Sequence, residues 1–187
     1  MVDQLSPMEA IMWRVGQDPM LRMTVGALMI LDHPPERAAV IERLAQLADD
    51  APRLRRRPDE STPVRPRPIW LDDGHVVDEN CVRSLAVAHP GTMRQVLDLV
   101  GLLESVPFDP ARSPWDVTLI EGVEDGKAAL YVRAHHVLTD GIGGVRLLRD
   151  LFDAAESTTP SVTTTTTEAT ATATATATTS EPDDAAR

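Results

Sequence analysis

A single cysteine, Cys81, is present among the 187 residues, and aromatic side chains are few: three Trp, two Phe and one Tyr. One thiol cannot close an internal disulfide, and its isolation excludes a zinc ribbon or a redox pair. A reducing compartment is therefore expected. With only five His beside that Cys, no metal site is expected. Long apolar runs are also missing. The longest, Met23 to Leu31, is about half of the roughly 20 residues that span a bilayer. The first residues, Met1-Val-Asp-Gln, carry neither the basic nor the apolar region of a secretory signal. Positive charge is the scarcer sign, with 18 Lys and Arg against 29 Asp and Glu and a net charge of −11. Nucleic-acid binding, which needs a basic face for phosphates, is thereby disfavoured. These absences together predict a soluble or peripheral cytoplasmic protein.

Composition shifts sharply along the chain. From Ser157 to Thr179 nearly every residue is Thr or Ala, and none is larger and more apolar than Val162. Such a segment buries too little surface to offset its ordering entropy. Residues 157–187 are accordingly expected to form a disordered tail or linker, and residues 1–156 one domain. Poor in aromatics, its core must rest on Leu, Val, Ile, Met and Ala.

Within residues 1–156, periodicity and turn chemistry predict alternating helices and strands. Ser6-Pro7-Met8-Glu9 is a capping box with Pro at the first helical position, and Met8, Ile11, Met12 and Val15 then share a face, which predicts a helix over 7–17. Met23 to Leu31, bounded by prolines, reads as a buried strand. Ala38, Ile41, Leu44, Leu47 and Ala48 recur at helical spacing over 35–49. The basic run Arg53 to Arg57 reads as a solvated loop, with an anion site as the alternative. Prolines from Pro63 to Pro68 force irregular chain; Ile69-Trp-Leu71 follows, and a strand is expected over Cys81 to Ala88. Thr92 to Gln95 is a second capping box, opening a helix with Val96, Leu99, Val100 and Leu103 inward. Asp125-Gly126, between the apolar runs Trp115–Val123 and Ala128–His136, signals a β-hairpin. A last helix follows Gly144.

Candidate chemistry concentrates where the second hairpin strand runs out. A period of two puts Leu130, Val132, Ala134 and His136 on one face, with Tyr131, Arg133 and His135 on the other. The two imidazoles then point apart, which disfavours a shared metal ion and favours one ring acting alone as a base. Asp140, Gly141, Gly143 and Gly144 follow, and the glycines permit a sharp turn and close approach of a ligand. A satisfied core histidine and ordinary turn glycines are the alternative explanation of the same residues.

The segment His135-His136-Val-Leu-Thr-Asp140-Gly141 resembles the HHxxxDG motif shared by chloramphenicol acetyltransferase, carnitine acyltransferases and the condensation domains of peptide synthetases. Further similarity lies in Leu5-Ser-Pro-Met-Glu-Ala10, Pro19-Met20 with Val25-Gly26, Pro107-Phe-Asp-Pro110, and Ser113-Pro-Trp115 leading into Leu119-Ile-Glu-Gly122. Together these look like the N-terminal half of bacterial wax ester synthase/diacylglycerol acyltransferases. The resemblance covers roughly residues 4–153, is loose over 74–95, and lacks the family's second half.

The resemblance implies an α/β fold, the N-terminal lobe of a CoA-dependent acyltransferase, in which a mixed sheet is flanked by helices. It implies transfer of a long-chain acyl group from acyl-CoA, as co-substrate and with no bound cofactor, to diacylglycerol or a fatty alcohol. By position in the motif, His136 corresponds to the general base and His135 to a supporting residue. Asp140 corresponds to an architectural carboxylate paired with an Arg, for which Arg14, Arg22 and Arg133 are the candidates. Gly141, Pro114 and Trp115 match positions beside the substrate, with core packing an equal alternative for Pro114 and Trp115. A missing C-terminal lobe, supplied by a separate chain or replaced by a second copy, is expected as partner, as is peripheral contact with a membrane or lipid inclusions. Two other classes stay open: a non-catalytic half-domain that binds acyl-CoA, lipid or a partner, and condensation chemistry on a carrier-protein thioester.

Overall fold

A computed structural model describes residues 3–61, 67–74, 77–78 and 81–138. The chain opens with α1 (Pro7–Val15), whose start is fixed by the anticipated capping box: the Ser6 side chain accepts from the Glu9 amide, and the Glu9 carboxylate accepts from the Ser6 amide. Then come β1 (Thr24–Leu31), α2 (Arg37–Asp50), β2 (Arg56–Asp59), β3 (Ile69–Asp72) and β4 (Val82–Ala86). Next are α3 (Met93–Glu104), with the capping box of Thr92 and Gln95, and the hairpin strands β5 (Trp115–Glu121) and β6 (Ala128–His135). Asp125 and Gly126 both take left-handed backbone at the hairpin turn, which is why that dipeptide suits it.

Four strands form one mixed sheet in the order β1-β6-β5-β4, with β4 parallel to β5 and the other pairings antiparallel. β2 and β3 pair separately as an antiparallel ribbon. The sheet has a core on each face. Trp115, Val117, Leu119 and Leu130 pack with α2 residues Val40, Leu44, Leu47 and Ala48, and with Ala10 and Trp13 of α1. On the other face Ile120, Ala129 and Tyr131 pack with Val96 and Leu103 of α3. This is the expected mixed sheet flanked by helices.

Several expectations change. β1 is an edge strand of the sheet with only Met29 buried, so its apolar composition does not mean a buried strand. α1 buries Ala10 and Trp13, while Met8 and Ile11, on the shared apolar face that predicted the helix, are 64% and 57% exposed. In α2 Val40 is buried and Ala38 exposed. The basic run is no solvated loop. It forms a 3-10 turn (Pro52–Arg55) and enters β2, with Arg53 stacked 4.2 Å over the Trp70 ring and Arg55, Arg56 and Arg57 paired with Asp49, Asp3 and Asp59. The last helix expected, and residues 157–187, lie outside the described residues.

Candidate active site

β6 carries the two histidines to one end of the sheet. The strand closes at His135, and His136 opens a 3-10 turn (His136–Leu138). Strand alternation therefore holds only up to His135, and the aim of His136 is set by the turn. Backbone groups from both neighbouring segments fasten this end. The His135 amide donates to the Pro114 carbonyl at 2.8 Å, and the His136 amide donates to the Met23 carbonyl at 2.7 Å.

The two rings have different surroundings. His135 is buried, its ring edge-on to Trp13 with centroids 5.2 Å apart, and its Nδ1 accepts the Val137 amide at 3.1 Å. An accepting Nδ1 places the proton of the neutral ring on Nε2. Burial, with His136 adding to it, lowers the His135 pKa from 6.5 to about 4, so this ring is neutral at physiological pH. His135 is thus unsuited to protonation near neutrality. His136 is only half-buried, and its Nδ1 is enclosed with no hydrogen-bond partner among the described residues.

Beneath the histidines lies a buried ion pair that sequence reasoning missed. Arg133 is 1% exposed and is held by both carboxylate oxygens of Asp116, at 2.8 and 2.7 Å. Its Nη1 reaches the Leu103 carbonyl in the last turn of α3 and the Val106 carbonyl just past it, and its guanidinium lies 4.6 Å over the Phe108 ring. The pair stands directly across β5 and β6, two residues away from the register of a two-residue Asp125-Gly126 loop, which would set Asp116 opposite His135. Arg133, as the one Lys or Arg in the two hairpin strands, was the available signal. Of the Arg residues considered for Asp140, Arg133 is engaged by Asp116, Arg14 pairs with Glu60, and Arg22 reaches the Pro19 and Glu104 carbonyls. Asp140 and Gly141 lie outside the described residues.

Pro114 and Trp115 are both buried beside the histidines, Pro114 through its bond from His135 and Trp115 across from Ala134. The Trp115 indole donates to the Leu54 carbonyl at 2.7 Å, tying β5 to the 3-10 turn at Leu54. Trp115 also lines a cavity of about 270 Å³ together with Phe108, Cys81, Arg83, Arg112 and Asp116; neither histidine lines it. Burial pushes the Cys81 thiol pKa up despite the nearby Arg112, which is the reverse of an activated nucleophile. Among the described residues no group of His, Cys, Asp or Glu could hold a metal ion, and no helix is long and apolar enough to cross a membrane.

The family model described as "Wax ester synthase/diacylglycerol acyltransferase catalytic domain" matches residues 5–186. The chain belongs to this family. A putative diacylglycerol O-acyltransferase of Mycobacterium tuberculosis strain H37Rv is 32% identical over 161 residues, covering 86% of this chain and 33% of that protein. The probable diacylglycerol O-acyltransferase tgs3 of the same strain is 32% identical over 145 residues, covering 76% of this chain and 53% of the relative. The chain therefore spans between a third and about half of these relatives. The solved wax ester synthase/diacylglycerol acyltransferase of Marinobacter aquaeolei VT8 superposes with a TM-score of 0.59 at 30% identity, over 76% of this chain and 36% of that one. A double mutant of the starter condensation domain of rhizomide synthetase RzmA, solved in complex with C8-CoA, gives 0.66 at 17% identity over 86% and 38%, a likeness of fold.

Proposed function

We propose that this chain carries the base-bearing lobe of an acyl-CoA-dependent O-acyltransferase, acting on diacylglycerol or a fatty alcohol. The observation that carries the reading is the match to the family's catalytic domain over residues 5–186, together with the histidine pair that β6 presents at the sheet end. In this mechanism His136 takes the proton from the acceptor hydroxyl as its oxygen attacks the thioester carbonyl. The tetrahedral intermediate collapses, the C–S bond breaks, and His136 returns the proton to the CoA thiolate. The enclosed Nδ1 of His136 leaves Nε2 as the atom that meets the hydroxyl. His135 keeps its ring neutral and supports the turn, while Pro114 and Trp115 shape the surroundings; the roles of Asp140 and Gly141 are those that the family motif implies. Acyl-CoA enters as co-substrate, a choice supported by the C8-CoA complex of the related condensation domain.

The test is CoA release from a long-chain acyl-CoA in the presence of diacylglycerol or a fatty alcohol, corrected for the Cys81 thiol. Turnover in the unsubstituted protein should fall by at least about 100-fold in His136→Ala, the scale of a lost general base. Equal turnover in both proteins would remove His136 from the role.

The exposed apolar face of α1, Met8 and Ile11, with Met20 88% exposed after it, favours a second reading in which the lobe binds a partner or lipid without turnover. Acyl-CoA binding that survives His136→Ala, with no CoA released by either protein, would select that reading.

A further inference from the structure

Gly16 ends α1 with φ −65° and ψ −12°, ordinary helical backbone that any residue adopts. Its lack of a side chain therefore has another cause. A Cβ at this position would overlap Nε2 of His135, a ring already packed against Trp13 from the same helix. That Nε2 is buried and has no hydrogen-bond partner among the described residues, so packing rather than bonding holds this edge of the ring. The opposite edge does make a bond, since Nδ1 accepts the amide of Val137. Val137 directly follows His136, whose own amide is fixed on the Met23 carbonyl. The first bond of the 3-10 turn on the far side of His136 thus runs through the His135 ring, and the ring's place is set by α1.

We propose that Gly16 and Trp13 are positioning residues for His136, acting through the His135 imidazole and its bond to the Val137 amide. A side chain at 16 displaces the ring, the Val137 amide loses its acceptor, and the turn that aims His136 loosens. Removing the Trp13 ring has the same result by the opposite route, because it leaves the imidazole without a wall. The catalytic consequence rests on His136 being the base; the mechanical coupling does not.

The two parts are separated by measuring amide exchange and turnover on the full chain. Gly16→Ala should speed Val137 amide exchange by about ten-fold or more relative to amides in the middle of β5. His135→Asn keeps an acceptor near the Nδ1 position and deletes the edge that meets residue 16. In that background, adding Gly16→Ala should change Val137 exchange by less than about two-fold. Trp13→Leu should also speed Val137 exchange, and it serves as the second variant because it fills no space. Should Gly16→Ala fail to fold alone while the double variant folds, that rescue supports the same contact. Unchanged Val137 exchange in the variants that fold overturns the proposal. For turnover, Gly16→Ala should lower kcat about ten-fold with KM within about two-fold. Faster Val137 exchange with unchanged kcat overturns the link to catalysis. No turnover in the unsubstituted protein counts against the base assignment, and the exchange data then decide the coupling by themselves.

Discussion

His135 and His136 are adjacent in sequence and opposite in character, and the difference comes from what surrounds each ring. His135 is packed against Trp13 and Gly16 and accepts a backbone amide, an arrangement compatible only with a neutral ring. A pKa lowered to about 4 in the folded state, against 6.5 when the ring is free, means that between those pH values the unfolded chain binds a proton that the folded chain does not. Stability therefore rises with pH across that window. The contribution is fully present above about pH 6.5, is lost as pH falls, and levels off below about pH 4; it amounts to something on the order of 3 kcal/mol. Urea unfolding across this range should show the slope in the native chain and a flatter one in His135→Asn. An equal slope in both would show that other groups carry the acid sensitivity. Arg133 and Asp116 make a related point with charge instead of neutrality. Both are buried: Arg133 is compensated by Asp116 and by the Leu103 and Val106 carbonyls, and Asp116 by Arg133 together with Arg83, whose guanidinium reaches the same Oδ2 at 2.6 Å.

At the scale of elements, the helix starts are the most local features and the easiest to read. Thr92 caps α3 through the Gln95 amide, and the Gln95 side chain accepts in return from the Thr92 amide. Since the capped turn leads straight into buried Val96, Thr92→Ala should lower stability by about 1 kcal/mol, measurable as a shift in urea midpoint at unchanged slope. A change below a few tenths would mean that water replaces the cap. The Asp125-Gly126 hairpin was legible for the same reason, since its turn chemistry lies within a few residues. What stayed hidden depends on distant partners. Whether β1 is central or at an edge is decided by β6, about a hundred residues later, so its apolar run looked buried. The arginines at 53–57 looked solvated because Trp70, Asp3 and Asp49 are brought to them only by folding. On α1 the periodicity identified the helix but not its inner face, because Trp13 outweighs Met8 and Ile11 once His135 and the α2 core are there to receive it. In the site itself, the motif indicated the histidines; the roles of Trp13 and Gly16 needed the fold.

For the whole molecule, the question is whether two cores on opposite faces of one sheet behave as one unit. All three tryptophans, Trp13, Trp70 and Trp115, belong to the core on the α2 face, whereas the core on the α3 face contains none. The faces are joined through β5 and β6, where Leu119 and Leu130 point one way while Ile120 and Ala129, their strand neighbours, point the other. The Arg133 and Asp116 pair further ties these strands to the C-terminal end of α3. Because the same backbone serves both cores, loss of either should remove the support of the other. Leu103 is buried in the core that lacks tryptophan, and Leu103→Ala should cost about 2–5 kcal/mol through lost burial and the cavity left behind. If the lobe unfolds as one unit, tryptophan fluorescence, which sees only the far face, will report that cost in full and coincide with the helical signal from circular dichroism. Were fluorescence to hold its original midpoint while the helical signal shifted, α3 and its core would be a separately melting layer. The histidine pair, fastened to β1, β5 and α1, would then keep its arrangement after that layer is lost.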